Sequence, residues 1–345
     1  MKILATGKDK FTYNRTQVLL SGLESLPGVE VTYYPIKDRK SFNRQEFTEL
    51  SKESNIVYIP PFRHSDVKFI KKLSKAPVVF DALISKYLTR TVDHGKWWTA
   101  WEKSWRDRAA FHHCDLLVMD TQAHKDYVVN RYGLELDKVI VVPVGVNTEL
   151  FKPVEREAEE HDKFVVGFYG GMIPLQGVDK IVECAGLLSK DQSIEFQLIG
   201  KGPRFKQVQE QAGKLNLNNL KFLGWVPYEE LNDKINAFDI CLGVFGDSLK
   251  ADVVVPNKVF HYSALKKCTI TKDTIGIKEV FQGDDNIVLT ENKPEAIADA
   301  ILKGKEDRSF RMSIAENAYD LITSDYSHQK VAELFVERVS SALSR

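Results

Sequence analysis

The feature that most constrains this chain is an alternation of short apolar runs with amphipathic segments, and it occurs twice. In the first half, residues 2–6, 29–34, 56–59, 78–80, 116–119 and 139–144 read as strands. They are short, rich in β-branched residues and closed by turn formers, as with Gly145 after the last. Between them, 14–26, 67–73 and 123–132 carry apolar positions at helical spacing, and Gly133 stops the last. Strands apolar along their whole length, alternating with helices, predict a parallel sheet covered on both faces. Residues 154–163, VEREAEEHDK, break the pattern, being charged and almost without core residues. The alternation then restarts with strands at 164–169, 194–199 and 220–223 and helices at 178–188, 205–215 and 228–238. Three further helices read at 294–302, 310–322 and 327–343. The expected organisation is two α/β domains, 1–146 and 164–326, with 147–163 as linker. A cleft between such domains is a preferred ligand site.

Composition narrows the function. The chain has 345 residues, about two domains' worth. Its 48 Lys and Arg balance 48 Asp and Glu, where a nucleic-acid binder would show a basic excess, so no nucleic-acid partner is expected. Cys114, Cys184, Cys241 and Cys268 lie far apart without metal-ligand spacing and read as reduced, buried thiols of a cytosolic protein. The opening MKILATG reads as a strand rather than the apolar core of a secretory leader, and no apolar run is long enough to span a membrane.

One stretch organises the second domain. Residues 238–279 read as a strand (240–245), a polar loop (246–252), a helix opened by Pro256, and a strand beginning at 269. Proline at the start of a helix costs no hydrogen bond and presets φ. The helix start then lies beyond the strand's carboxyl end, where open α/β sheets bind ligands. Lys258 sits in its first turn, against the helix dipole. Either an anion lies over the exposed N–H groups and Lys258 adds a point charge, or the side chain turns away into solvent.

Two more loops have the same character. Strand 164–169 runs into Gly170 and Gly171, with Pro174 and Gly177 following. Strand 194–199 runs into Gly200, Lys201, Gly202, Pro203 and Arg204. Glycine after a strand allows close backbone approach to a ligand, although such turns also use it for structural reasons alone. Neither loop is a P-loop or a GxGxxG fingerprint. Three loops at successive strand ends together outline a pocket for a phosphate-bearing ligand.

These residues carry a family resemblance. YGGMIPLQGVDKIVECAGLL, FQLIGKGP, FLGWVPYEEL, FDICLGVFG and PNKVFHYSALKKCTIT, in that order, resemble the C-terminal half of a family 4 (group 1) glycosyltransferase. PVVFDALIS, CDLLVMDTQAHKDY and VIVVPVGVNTELFKP resemble strands of its first half. The resemblance implies the GT-B fold, two Rossmann-like parallel-sheet domains facing a cleft, with the final helix (327–345) crossing back onto the first domain. It implies a nucleotide diphosphate sugar held by the C-terminal domain and a saccharide or lipid-linked acceptor on the N-terminal one. The positions that would hold the donor are Gly170, Gly171, Lys201, Arg204, Val226, Asn257, Lys258 and His261. The implied chemistry is transfer with retention, the leaving diphosphate being met by helix starts and basic groups without a cofactor or an obligatory metal.

The departures are specific. Where the family has an Arg and a Lys gripping the diphosphate, this chain has Gly171 and Gln176. Where it has a second glutamate, this chain has His261, and only Asp247 and Asp252 lie near the place of the first. His261 follows Lys258 by three residues, on one helix face, and an imidazole can hydrogen-bond a ribose hydroxyl. Asp81, at the end of a first-domain strand, reads either as a catalytic carboxylate facing the predicted cleft or as a turn-capping aspartate. The chain therefore reads as a glycosyltransferase, with a non-catalytic nucleotide-sugar-binding partner subunit as the alternative.

Trp97, Trp98, Trp101 and Trp105 are four of the chain's five tryptophans, with Lys96, Lys103, Arg106 and Arg108 among them. The 97/101/105 spacing places three on one helical face. The expectation is a stripe packed as core. A surface for a lipid-linked acceptor or the inner membrane face is the other reading.

Overall fold

The computed structural model describes residues 1–8, 11–93, 95–154 and 163–344. The chain divides into two compact units, Met1–Asn147 with Asp325–Arg345, and Thr148–Ser324. The first holds strands β1 (Lys2–Gly7), β2 (Glu30–Pro35), β3 (Ile56–Ile59), β4 (Val78–Asp81), β5 (Leu116–Met119) and β6 (Val139–Val141). The second holds β7 (Phe164–Tyr169), β8 (Ile194–Ile199), β9 (Leu220–Gly224), β10 (Ile240–Leu242), β11 (Cys268–Lys272) and β12 (Val288–Thr290). Each set forms a six-stranded sheet, in the orders β2-β1-β3-β4-β5-β6 and β12-β11-β10-β7-β8-β9. Every strand pair is parallel, so both faces of each sheet carry helices.

Alternation within single strands shows why. Leu4, Val57, Phe80 and Leu117 point into one core of the first unit. Their neighbours Ile3, Tyr58, Val79 and Val118 point into the other. Val331, Ala332, Phe335 and Val339 of helix His328–Leu343 join that second core beside Leu19, Leu20 and Leu23. The four cysteines are buried free thiols.

Five expectations change. The polar loop read at 246–252 leads into a short helix, Leu249–Val253, and the strand read at 139–144 ends at Val141. The segment 147–163 is not linker throughout. Phe151 is buried, Lys152 and Val154 donate their N–H groups to Asn232 and Asn236, and residues 155–162 lie outside the described residues. The strand read at 240–245 stops at Leu242. The tryptophan stripe is not core: Trp97, Trp98, Trp101 and Trp105 are 63–81 % exposed. Helix Ala100–His113 buries Asp107, Ala110 and Phe111 instead. Among the described residues no helix is long and apolar enough to cross a membrane.

Candidate functional site

The second sheet reverses its strand order between β7 and β10, so the crevice beyond their carboxyl ends is the topological switch point. The three glycine-bearing loops meet there, stitched backbone to backbone. Gly170 donates to Ile199 and Met172 to Lys201, each at 3.0 Å, joining the loops after β7 and β8. Phe245 donates to Gln176 and Gly246 to Leu175, each at 3.1 Å, joining the loops after β7 and β10. Two glycines are required by this packing. A Cβ on Gly200 (φ +126°) would lie 2.0 Å from the Gly170 carbonyl oxygen. One on Gly177 (φ +62°) would lie 2.4 Å from the Phe245 carbonyl carbon. Gly171 differs, since the only atom near its Cβ position is the Lys201 carbonyl oxygen at 3.9 Å, and larger side chains fit there.

Helix Asn257–Ala264 opens at this crevice, with Pro256 as its N-cap. Lys258, the second residue, does not turn into solvent. It is 4 % exposed, with Nζ 2.5 Å from Gln176 Oε1, 3.5 Å from the Gly243 carbonyl oxygen and 3.7 Å from the Phe168 ring centroid. Its Nζ lies 2.8 Å from where a Cβ on Gly170 would be, directly under the loop. Among the described residues no carboxylate reaches it. Burial holds its pKa well below the ordinary lysine value. Gln176 thus contacts an amino group that arrives from the helix.

His261 is also buried. One face of its ring stacks on Phe151 at 3.9 Å and 10°, and Nδ1 meets the Tyr169 hydroxyl. Burial lowers its pKa to about 3, so it is a neutral ring. The folded pKa lies below the unfolded value. The unfolded chain therefore binds the extra proton between about pH 6.5 and 3, and stability falls with acidification through that window. The share due to His261 is about 2 kcal/mol between pH 7.5 and 5. Urea denaturation at the two pH values should show a smaller pH-dependent loss in His261→Phe than in wild type by about that amount. Equal losses would show that the ring titrates normally.

The remaining positions are distributed around the crevice. Lys201 is exposed and Arg204, at the N-cap of helix Phe205–Lys214, is half-buried. Neither has a carboxylate partner among the described residues. Val226 is half-buried in the loop after β9, and Asn257 is half-buried at the helix start. Asp247 and Asp252 are engaged by Lys180 and Lys272. Phe151, which covers His261, carried no sequence signal, because only the tertiary fold brings it there.

Asp81 is placed otherwise than expected. It ends β4 in the interior of the first unit, fully buried, rather than at an open edge or capping a turn. Its Oδ2 accepts from Arg15 Nε at 2.9 Å and from the Tyr58 hydroxyl at 3.1 Å. Its geometry is that of a buried ion pair.

Residues 151–321 match the family described as glycosyl transferases group 1. An uncharacterized glycosyltransferase of Methanocaldococcus jannaschii is 22 % identical over 259 residues, covering 69 % of this chain and 64 % of that protein. A D-inositol 3-phosphate glycosyltransferase of Paenarthrobacter aurescens is 33 % identical over 93 residues, covering 24 % of this chain and 23 % of that protein. The matches thus span less than two-thirds of these relatives' own length. Among solved structures, Anabaena HepE in complex with UDP and glucose superposes with a TM-score of 0.77 at 15 % identity, over 99 % of this chain and 100 % of that one. Sucrose-phosphate synthase from Thermosynechococcus elongatus superposes with a TM-score of 0.77 at 12 % identity, over 100 % and 99 %. At these identities the structural likeness speaks for the fold, while the family match covers the unit that holds the three loops. Residues 151–321 of the chain belong to the group 1 glycosyltransferases, and its two parallel-sheet units are those of the GT-B fold.

Proposed function

We propose that this chain transfers a sugar from a nucleotide diphosphate sugar to a saccharide or lipid-linked acceptor, with retention at the anomeric carbon. The observation that supports it most is the buried amino group of Lys258 at the switch-point crevice, whose polar partners among the described residues are an amide and a carbonyl, beside the Phe168 ring. A buried cation without a counter-charge is costly, and a diphosphate would supply one. Backbone N–H groups at the start of helix Asn257–Ala264, with Lys201 and Arg204 at the rim, would meet the charge that develops on the leaving diphosphate. No obligatory metal enters this reading. Retention is carried over from the family, and the anomer of the product tests it.

Gly171, Gln176 and the neutral His261 favour a second reading, a nucleotide-sugar-binding partner subunit without turnover. The two readings predict the same binding and differ in catalysis. Calorimetric titration with uridine, guanosine and adenosine diphosphates separates both from a chain that binds none. UDP comes first, because Anabaena HepE was crystallised with UDP and with UDP-glucose. At a pH between the free and bound pKa values of Lys258, binding should be accompanied by proton uptake, seen as a dependence of the heat on the buffer's ionisation enthalpy. The free protein holds the Lys258 pKa below 10.5, and the bound anion raises it again. Affinity should therefore weaken as pH rises toward 10.5. Failure of every nucleotide diphosphate to bind would overturn the proposal, and binding without turnover on any acceptor would select the second reading.

A further inference from the structure

We propose that the surface around Trp97, Trp98, Trp101 and Trp105 docks this protein on a bilayer containing anionic phospholipid, with a lipid phosphate seated beside Trp105. The inference goes beyond the transferase reading and stands independently of it.

Four indoles on one 3-10 turn, Trp97–Thr99, and the helix that follows, Ala100–His113, are mostly exposed. The helix is not free to roll and bury them. On its opposite face Asp107 is fully buried and accepts from Ser85 Oγ at 2.6 Å and from the backbone N–H groups of Lys86 and Tyr87 at 3.0 and 2.9 Å. That anchor fixes the indoles outward. Exposed large aromatic surface is normally covered by something.

Charge identifies the cover. Beside Trp105 lies a groove of about 540 Å³ lined by Lys68, Trp105, Arg106, Arg108, His112 and His113, with no carboxylate among its lining residues. Arg106 pairs with Glu102 outside the groove at 2.6 Å, and Arg108 donates to the Tyr132 carbonyl at 3.1 Å, so both guanidinium groups are held in place. Lys68 is exposed and has no carboxylate partner among the described residues. The whole chain is neutral, with 48 basic and 48 acidic residues, so this is a local positive excess. Tryptophan belongs at the interface between headgroups and acyl chains, and lysine and arginine belong at the phosphate level above it. A soluble anion would account for the groove and leave the four indoles unexplained. A protein partner would account for the indoles and would not call for a groove lined by Lys68, Arg106 and Arg108 without a carboxylate.

The test is sedimentation of the full chain with vesicles of phosphatidylcholine, with and without 30 mol% phosphatidylglycerol. Tryptophan emission is followed in parallel, and inorganic phosphate and glycerol phosphate serve as soluble controls. Binding should require phosphatidylglycerol, weaken with salt and shift the emission to the blue, because four of the five tryptophans enter the interface. Trp98→Ser with Trp101→Ser should lower vesicle affinity at least tenfold. Lys68→Glu with Arg106→Gln should remove the preference for anionic vesicles. All four positions are at least partly exposed, so thermal melts should remain those of wild type. Equal binding to neutral vesicles, or no vesicle binding, would overturn the proposal. So would soluble phosphate binding without vesicle binding, or self-association through the patch in sedimentation velocity with no vesicle binding.

Discussion

Asp81→Ala is expected to lose about 3–5 kcal/mol of folding stability, the cost of leaving one member of a buried ion pair without its partner. The side chains of Arg15 and Asp81 are 0 % and 1 % exposed, so solvent cannot replace either. Arg15 enters from helix Asn14–Ser25, gives Nε to Asp81 and directs Nη1 at the Pro143 carbonyl. The Tyr58 hydroxyl also depends on the same carboxylate oxygen. Burial pushes the Asp81 carboxyl above its ordinary value even against the pull of Arg15, so the pair is held at a desolvation cost. Removing both charges should therefore do less harm than removing one. Arg15→Met with Asp81→Leu is expected to regain much of the stability lost in Asp81→Ala. Urea denaturation measures both, as a change in midpoint at constant slope. A loss below about 1 kcal/mol in the single variant would mean that the pair is dispensable to the fold.

Most strands were legible because a strand buried on both faces must be apolar along its length, whereas β12, Val288–Thr290, was too short to read. Ile56–Ile59 and Phe164–Tyr169 begin and end where the apolar runs do. Helix Arg44–Glu53 escaped because it buries only Phe47 and Ser51. The signal that could have found it is its cap, since Asn43 accepts from the Glu46 N–H three residues on. The positions of the glycine loops were legible too, as turn formers after apolar runs. What surrounds each side chain was not. Helical spacing placed the tryptophans on one face and could not say whether that face is covered, which Asp107 and its partners decide. Strand-end position located Asp81 and could not reveal Arg15, which is 66 residues away in sequence. His261 was found by likeness to the family, whereas its stacking on Phe151 depends on how the segment after residue 147 docks.

Lys258→Met is expected to raise stability and weaken nucleotide diphosphate binding in the same variant. Methionine is unbranched and of similar length, and its thioether packs well against the Phe168 ring that the ammonium now faces. Burying an amino group without a counter-charge costs free energy, so an apolar group of similar volume should stabilise the fold. The amide of Gln176 loses one partner, which offsets part of that gain. Binding moves the other way. The charge-assisted contact to a phosphate oxygen is worth roughly 1.5–3 kcal/mol, so affinity for the diphosphate should fall about tenfold to a hundredfold. Proton uptake on binding should disappear with it, because Lys258 is the group whose pKa the anion restores. Arginine should not substitute, since its planar fork is larger than an ammonium and Gly170 closes over the space. Opposite movement of melting temperature and affinity distinguishes a ligand-binding lysine from a structural one. A structural lysine would lose stability on replacement and leave the diphosphate affinity, measured by calorimetry on the folded variant, where it was.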